Sequence, residues 1–404
     1  MSKTVFKAVI GKNFGDEGKG LATDFLCLGG AKNLVVRANG GAQSGHTVET
    51  GTKRFVFHEL SSGSFRHADT YWASTYHPDL YKLAEEIEEF RAVGGFVPRV
   101  YASENTGITT ILDVILNMAF ETARGAGRHG SCGMGIYECE LREQAGYKIT
   151  VGDVIKLGVE GLIHKLLEIR ENYVPKRLKE EGLALESLGE YTQLLHDDNI
   201  VINYAKTVHN NLKWVETVES EKDFFNEYDQ VIFENGQGLL LDSECKRFYP
   251  NVTGSRTGLA NIALILNNVG EKLDEVLYVS RSYVTRHGAG ELPCECKASD
   301  IPGMITDVTN QPNEWQGKLR FGFHESVEEF VRPVEEDIKT LDYRPKLSLL
   351  LTHLNETDGY VMFSRNKYSL AMFKGNRDIT TIFNAILISR ENEAKKIAEC
   401  ECGL

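Results

Sequence analysis

Short runs of uninterrupted apolar residues recur along the chain, and each leads into a glycine-rich or polar motif. Val5-Phe6-Lys7-Ala8-Val9-Ile10 precedes Gly15–Gly20, Leu34-Val35-Val36 precedes Asn39–Thr47, and Val231-Ile232-Phe233 precedes Glu234-Asn235-Gly236-Gln237. Val276–Val279 precedes the Arg286 segment, and Leu347–Leu351 precedes Thr352-His353. Continuous rather than alternating apolarity is what a strand buried on both faces requires. The runs predict an α/β fold: a large, mostly parallel central sheet flanked by helices, with the motifs gathered at the carboxyl ends of the strands, where such sheets bind ligands. Between them, Leu80, Leu83, Ile87 and Phe90 repeat at helical spacing behind Pro78 as a helix start, and Ile111, Val114, Ile115 and Met118 do so with Phe120 beyond. Both stripes are read as core faces. From about 150 to 226 the chain is rich in Lys and Glu, with Leu162, Leu166 and Leu167 as apolar markers, and a helical excursion is expected there. No repeat, low-complexity tract or long linker interrupts the chain, so residues 1–404 are read as a single domain with this excursion.

Composition narrows the function classes. With 404 residues, 42% hydrophobic and 25% charged, the chain can bury a sizeable core. Its formal net charge of −13 argues against general nucleic-acid binding, which relies on excess Lys and Arg. No N-terminal stretch has signal-peptide or membrane-span character, so the expectation is a cytoplasmic protein with no membrane partner, in a host's cytoplasm if the chain is viral. The eight cysteines, at 27, 132, 139, 245, 294, 296, 400 and 402, include no Cys-x-x-Cys pair and no His at zinc-finger spacing. Structural zinc is not expected, and the Cys-x-Cys pairs are read as reduced thiols.

The most informative motif is Gly15-Asp16-Glu17-Gly18-Lys19-Gly20, between a strand-like and a helix-like run. Glycine amides can close around phosphate oxygens, and Lys19 adds charge at a helix start that already favours anions. This P-loop-like cradle differs from the ordinary one: Asn13 stands where the first glycine belongs, and Gly20 where a magnesium-binding Ser or Thr belongs. Asp16 is then the candidate to hold the metal. A second glycine-rich loop, Asn39-Gly40-Gly41-Ala42-Gln43-Ser44-Gly45-His46-Thr47, presents His46, and an aspartate and a histidine on one phosphate site suggest a base and an acid.

On these two loops the chain resembles the adenylosuccinate synthetase family, whose hallmarks are a Gly-Asp-Glu-Gly-Lys-Gly loop followed by Gly-Gly-x-x-x-Gly-His-Thr. Further similar segments follow in the family's order: Phe57–Gly63, Phe233–Gly238, Tyr249–Thr253, Thr285–Gly290 and Leu351–Asn355. The resemblance implies a ligase that activates a 6-oxopurine nucleotide by phosphorylating O6 with a nucleoside triphosphate, then lets L-aspartate displace the phosphate. It also implies Mg2+ and a homodimer. By the same resemblance Asp16 is the base and a metal ligand, His46 the acid, and Gln237 orients the purine. Gly15, Glu17, Gly18, Lys19, Gly20, Gly45 and Thr47 fall at triphosphate-binding positions, with the Gly45 carbonyl a second metal ligand. Asn39, Gln43, Ser131, Cys132, Thr253 and Arg286 fall at the purine monophosphate, Thr309 and Arg320 at aspartate, and His353, Asn355, Lys374 and Gly375 at the donor base. Thr253 could equally just end a turn, whereas Arg286, if buried, needs an anionic partner.

The chain departs from the family pattern in several places. Ser131-Cys132-Gly133-Met134-Gly135 stands for Thr-Thr-Gly-Arg-Gly, and Gln43-Ser44 for Asn-Ala. The aspartate loop keeps only Thr309 and Arg320 as evident carboxylate donors, and Arg142 is about one position out of register with the cross-dimer arginine. Thr352-His353-Leu354-Asn355 replaces Thr-Lys-Leu-Asp, and a neutral amide suits adenine's donor and acceptor at least as well as guanine. The asparagine resembles the viral branch that converts dGMP to N6-succino-2-amino-2'-deoxyadenylate with ATP or dATP. Asp16 resembles the standard branch, which uses IMP and GTP. The dGMP reading stands first, the IMP reading second. A noncatalytic nucleotide-binding protein and a phosphotransferase with a hydroxyl acceptor are the rivals from other classes.

Overall fold

The computed structural model describes residues 3–128, 130–303, 317–391 and 393–400. The apolar runs become strands of one ten-stranded sheet. In chain order the strands are β1 (Val5–Gly11), β2 (Asn33–Arg37), β3 (His46–Thr50), β4 (Lys53–Phe57), β5 (Asp69–Trp72), β6 (Val100–Ser103), β7 (Val215–Val218), β8 (Gln230–Gly238) and β9 (Glu275–Arg281). They continue with β10 (Val284–Arg286), β11 (Glu295–Cys296), β12 (Arg320–Gly322), β13 (Lys346–Thr352), β14 (Tyr360–Met362), β15 (Lys367–Ser369), β16 (Ala385–Ile388) and β17 (Ala398–Glu399). The large sheet runs β17-β16-β13-β9-β1-β8-β2-β5-β6-β7, parallel throughout except for the edge strand β17, which pairs antiparallel with β16. Its centre is β1, in register with β8 from Val5↔Gln230 and with β9 from Lys7↔Glu275. β3 pairs with β4 as a hairpin, β10, β12 and β11 form a small antiparallel sheet, and β14 pairs with β15.

Helices cover both faces. α1 (Lys19–Leu26) follows the glycine loop, α2 (Leu83–Gly94), α3 (Ile111–Arg124) and α4 (Ile136–Gln144) precede the excursion, and α5 (Val151–Asn172) opens it. Leu80, Leu83, Ile87 and Phe90 are all buried as predicted, but α2 starts at Leu83 and not behind Pro78. Asp79 takes the preceding residues into a turn, its carboxylate accepting from Tyr81 N at 3.0 Å and its carbonyl from Lys82 N at 3.1 Å. α3 is set by a capping box of Thr110 and Asp113. Its buried face is centred one residue beyond the predicted stripe: Leu112, Ile115, Leu116, Ala119 and Phe120 are buried, whereas Ile111, Val114 and Met118 are half-buried.

The excursion is helical, as predicted, through α5, α6 (Val174–Glu180), α7 (Glu190–His196), α8 (Asp198–Asn211) and α9 (Glu221–Phe225). It also contains β7, which returns to the sheet edge beside β6. Val-Glu-Thr-Val is too short to stand out from helical flanks, although its β-branched residues favour a strand. α10 (Ala260–Val269) and α11 (Val327–Asp337) pack with the sheet residues of one large core, and α12 (Leu370–Gly375) and α13 (Arg377–Ile382) lie between β15 and β16. Among the described residues no helix is long and apolar enough to cross a membrane.

Candidate active site

The carboxyl ends of β1, β2, β8, β9 and β13 meet around the glycine loop. Gly18 caps α1 in the left-handed region, at φ 97°, and Asp16 also has a positive φ of 59°, so the backbone coils tightly before the helix. Glu17 holds this shape from inside. Its Oε1 accepts from Asn13 N at 2.9 Å and Gly15 N at 2.8 Å, and its Oε2 lies 2.8 Å from Lys19 Nζ. Below the loop, Lys12 is buried against Phe330, donating to its carbonyl at 3.1 Å with the ammonium 3.8 Å from the ring centre. Burial pushes the Lys12 pKa down to about 7, against the pull of Glu17.

Three neighbouring segments touch the loop. A Cβ at Gly20 would lie 3.2 Å from His46 Cβ and 2.9 Å from the Thr47 carbonyl, so the second glycine-rich loop closes on the start of α1. A Cβ at Gly15 would lie 3.8 Å from Gln237 Cα, and one at Gly18 3.3 Å from the Thr352 methyl. Thr352 Oγ1 donates to the Glu17 carbonyl at 2.7 Å, linking the end of β13 to the loop. Loops bearing Asp16, His46, Gln237 and His353 are thus drawn together from separate strand ends.

Asp16 and His46 each have a charged partner. His287 Nε2 lies 3.2 Å from Asp16 Oδ2, and Arg281 Nε donates to the Asp16 carbonyl at 2.5 Å. Burial opposes the Asp16 charge, but His287, with Arg281 and Lys19 beyond, outweighs it and holds the carboxyl down at about 2. His46 Nδ1 lies 2.9 Å from Glu234 Oε1, while Glu234 Oε2 lies 3.5 Å from Arg37 Nη1 and accepts from Ser62 N at 3.2 Å. Burial opposes ionisation of Glu234 too, yet His46, Arg37 and the Ser62 amide hold it ionised, at about 2. For His46 burial wins and its pKa falls, with Glu234 pulling upward. Neither His287 nor Arg37 was singled out from sequence, although Arg286-His287 and Val36-Arg37 both sit at strand ends.

The remaining predicted residues divide into clamps and open groups. Asn39 is a clamp: its Oδ1 accepts from Gly236 N at 2.8 Å and its Nδ2 donates to Gly236 O at 3.3 Å. Gln43 is open, with both amide atoms buried and unpartnered, as are Ser44 Oγ, His46 Nε2, Ser62 Oγ, Gln237 Oε1 and Thr285 Oγ1. Native interiors rarely leave such atoms unpaired, so their concentration around one loop marks a polar ligand site. Gly45 is exposed at the tip of its loop. Ser131 Oγ is engaged with Asn117, and the amides of Gly130 and Ser131 donate to Glu121 Oε2, leaving Cys132 with a thiol that burial pushes up to about 11. Arg142 is wholly buried and doubly bonded to Asp113 at 2.8 and 2.9 Å, so its charge is spent inside the subunit.

Arg286 is buried, as its setting suggested, but the expected anionic partner is replaced by carbonyls and rings. It donates to Glu291 O and Asn251 O, both at 2.6 Å, and lies 4.6 Å from the Phe14 ring centre. Burial and the neighbouring Arg320 push its pKa down to about 10. Arg320 stands opposite it on β12, paired with Glu295 and donating to Gly290 O at 2.8 Å. Thr253 donates its amide to Leu241 O at 2.8 Å. His353 adopts a positive φ of 58°, Asn355 is exposed beside it, and Lys374 Nζ reaches Cys400 O at 2.5 Å with Gly375 ending the same helix. Thr309 lies outside the described residues.

The family profile of adenylosuccinate synthetase matches residues 8–323. The adenylosuccinate synthetase of Thermoplasma volcanium is 31% identical over 319 residues, covering 77% of this chain and 68% of that protein. That of Lactobacillus acidophilus is 28% identical over 333 residues, covering 79% and 72%. Among solved structures, fully ligated adenylosuccinate synthetase from Plasmodium falciparum superposes with a TM-score of 0.66 at 17% identity, covering 98% of this chain and 99% of that one. The succinoaminodeoxyadenylate synthetase of cyanophage S-2L, bound to dGMP and dATP as an energy donor, gives 0.62 at 15% identity, covering 98% and 95%. At those identities the structural likeness establishes the fold, and the sequence match carries the rest: the chain belongs to the adenylosuccinate synthetase family of carbon–nitrogen bond-forming ligases, enzymes of purine nucleotide synthesis.

Proposed function

We propose that the protein joins L-aspartate to C6 of dGMP, giving N6-succino-2-amino-2'-deoxyadenylate, with ATP or dATP as phosphate donor. Asp16, held ionised, takes the N1 proton while O6 attacks the terminal phosphate. His46, its Nδ1 turned toward Glu234, presents Nε2 to O6 and the transferring phosphoryl. Gln237, in the left-handed region at φ 60°, offers its free amide oxygen to the purine. Preorganised groups aimed at developing charge are the main lever in phosphoryl transfer.

The ionised Asp16 carboxylate and the Gly45 carbonyl are hard oxygen donors that suit Mg2+. When bound, the ion neutralises charge on the triphosphate. Lys19, Gly18 and Gly20 with Thr47 cradle that tail at the start of α1, while Gly15 and Glu17 shape the cradle. Gln43, Thr253 and Arg286 serve the monophosphate with Asn39, Ser131 and Cys132 as its walls, and Thr309 and Arg320 receive aspartate. A second copy of the chain completes a homodimer in the cytoplasm.

The observation that carries the donor assignment is Asn355, exposed beside His353, and Lys374 and Gly375 are assigned to the same base. Its amide matches adenine's N6 donor and N1 acceptor, and the cyanophage neighbour was solved with dGMP and dATP. The retained Asp16 favours the second reading, IMP with GTP. Incubating the protein with dGMP or IMP, each with aspartate, Mg2+ and either dATP or GTP, separates the two by which pair yields a succino product. Turnover with IMP and GTP and none with dGMP would sink the first reading.

A further inference from the structure

Behind the loop that runs from Asn39 to His46, three chemically distinct side chains converge in the interior. His77 comes from the turn after β5, and Cys139 and Glu143 lie four residues apart on α4, hence on one face. His77 Nε2 is 3.4 Å from Glu143 Oε2, and one ligand-capable atom from each of the three lies within 4.8 Å of the others. His77 is 7% exposed and Cys139 fully buried. His77 Nδ1 and Glu143 Oε1 are buried with no hydrogen-bond partner. An ion pair joins His77 and Glu143, and Cys139, whose thiol donates to Ile108 O at 3.4 Å, lies beside them.

We propose that His77, Cys139 and Glu143 form a binding site for one divalent transition-metal ion of the zinc type. An imidazole, a thiolate and a carboxylate make the mixed, borderline-soft donor set that zinc takes, with a fourth position left open. In a tetrahedron of ordinary zinc bond lengths the ligand atoms stand about 3.5 Å apart, so separations of up to 4.8 Å close by at most about 1.3 Å on binding. Charged groups surround the cluster: Glu140, Asp113, Arg142 and Lys148. Glu140 acts electrostatically on His77, and Lys148 Nζ lies 3.6 Å from Glu143. Arg142 Nη2, anchored on Asp113, donates to Cys139 Sγ at 3.4 Å, and the thiol, which burial keeps protonated, donates to Ile108 O, so metal binding releases its proton.

The position gives the site leverage on the ligase reaction. His77 N donates to Gly40 O at 2.8 Å and the residue bridges to Gly41, while α4 follows directly on the Ser131–Gly135 loop. A bound ion would therefore tie together two loops of the monophosphate side.

Cobalt(II) titration of the metal-stripped full-length protein tests this. One equivalent should give a tetrahedral d–d spectrum with a thiolate-to-cobalt charge-transfer band, and Zn2+ should displace it. Cys139→Ser should abolish that band, while His77→Gln and Glu143→Gln weaken cobalt binding beyond the 10–100-fold typical of losing a ligand's supporting partner. Asp16→Asn should leave the band unchanged, because an oxygen-only site cannot produce it. Failure to bind, a spectrum lacking the thiolate band, or a band that survives Cys139→Ser overturns the proposal. Should Cys139→Ser not fold, Glu143→Gln decides, since its side chain is partly exposed, and an unaltered titration then counts against the site.

Discussion

Replacing Glu234 by Gln removes one charge at constant shape from beneath the proposed acid. Glu234 is fully buried, 3.5 Å from Arg37 and 2.9 Å from His46. At an effective dielectric of about 20, the Arg37 contact alone is worth about 5 kcal/mol. The depressed carboxyl pKa implies a similar figure: a shift from 4.5 to about 2 corresponds to about 3 kcal/mol. Because the folded pKa is depressed, that stability is present above pH 4.5 and is lost as pH falls from 4.5 toward 2. Glu234→Gln should thus lower unfolding free energy by about 3–5 kcal/mol at pH 7, as expected when a buried arginine loses its anion. It should also weaken the acid dependence below pH 4.5 relative to wild type. With His46 no longer held by a charge, kcat should fall by about 10²-fold, within the share a positioned acid or base contributes. Urea titrations at pH 7 and pH 4, paired with product assays on the folded fraction, measure both. A stability change under about 1 kcal/mol together with unchanged kcat refutes the reasoning.

Three further outcomes follow from the site. His46→Asn should reduce turnover by at least about 10²-fold while triphosphate affinity, measured by calorimetry, stays within a few-fold; parallel loss of both would make the residue structural. Asn355→Asp should move donor preference toward GTP by about 10–100-fold in kcat/KM, since a carboxylate accepts both guanine N–H groups; an unmoved ratio would place base recognition elsewhere. Thr352→Val strands the Glu17 carbonyl, now 2.7 Å from the hydroxyl, and should cost about 1–3 kcal/mol. It should raise the donor KM and leave the purine monophosphate KM unchanged, a split read in steady-state kinetics.

Much of this architecture was legible before folding, because strands buried on both faces leave a compositional trace. The apolar runs before Gly15, Asn39, Glu234 and Thr352 all became parallel strands of the central sheet, β1, β8 and β2 side by side and β13 one strand beyond β9, and their motifs met where such sheets bind ligands. What stayed hidden were contacts that only folding creates. His287 reaches Asp16 from just beyond β10, and Arg37 and Glu234 meet across adjacent strands; no spacing rule links either pair. Arg286 showed the opposite failure. Its burial was foreseeable, but carbonyls at 2.6 Å and two aromatic rings satisfy it where a carboxylate was expected. The His77, Cys139 and Glu143 cluster was missed for the same reason as His287, since cysteine spacing says nothing about a histidine delivered by a distant turn.

The place of β1 in the sheet bears on how the molecule is made. This strand is made well before its two partners, residues 230–238 and 275–281, which follow more than two hundred residues later. Until they emerge, the phosphate cradle at its end has neither wall, and long-range parallel pairing of this kind forms slowly. A nascent or truncated chain lacking β9 should therefore hold no triphosphate, so nucleotide capture reports that β9 has been made and has paired with β1.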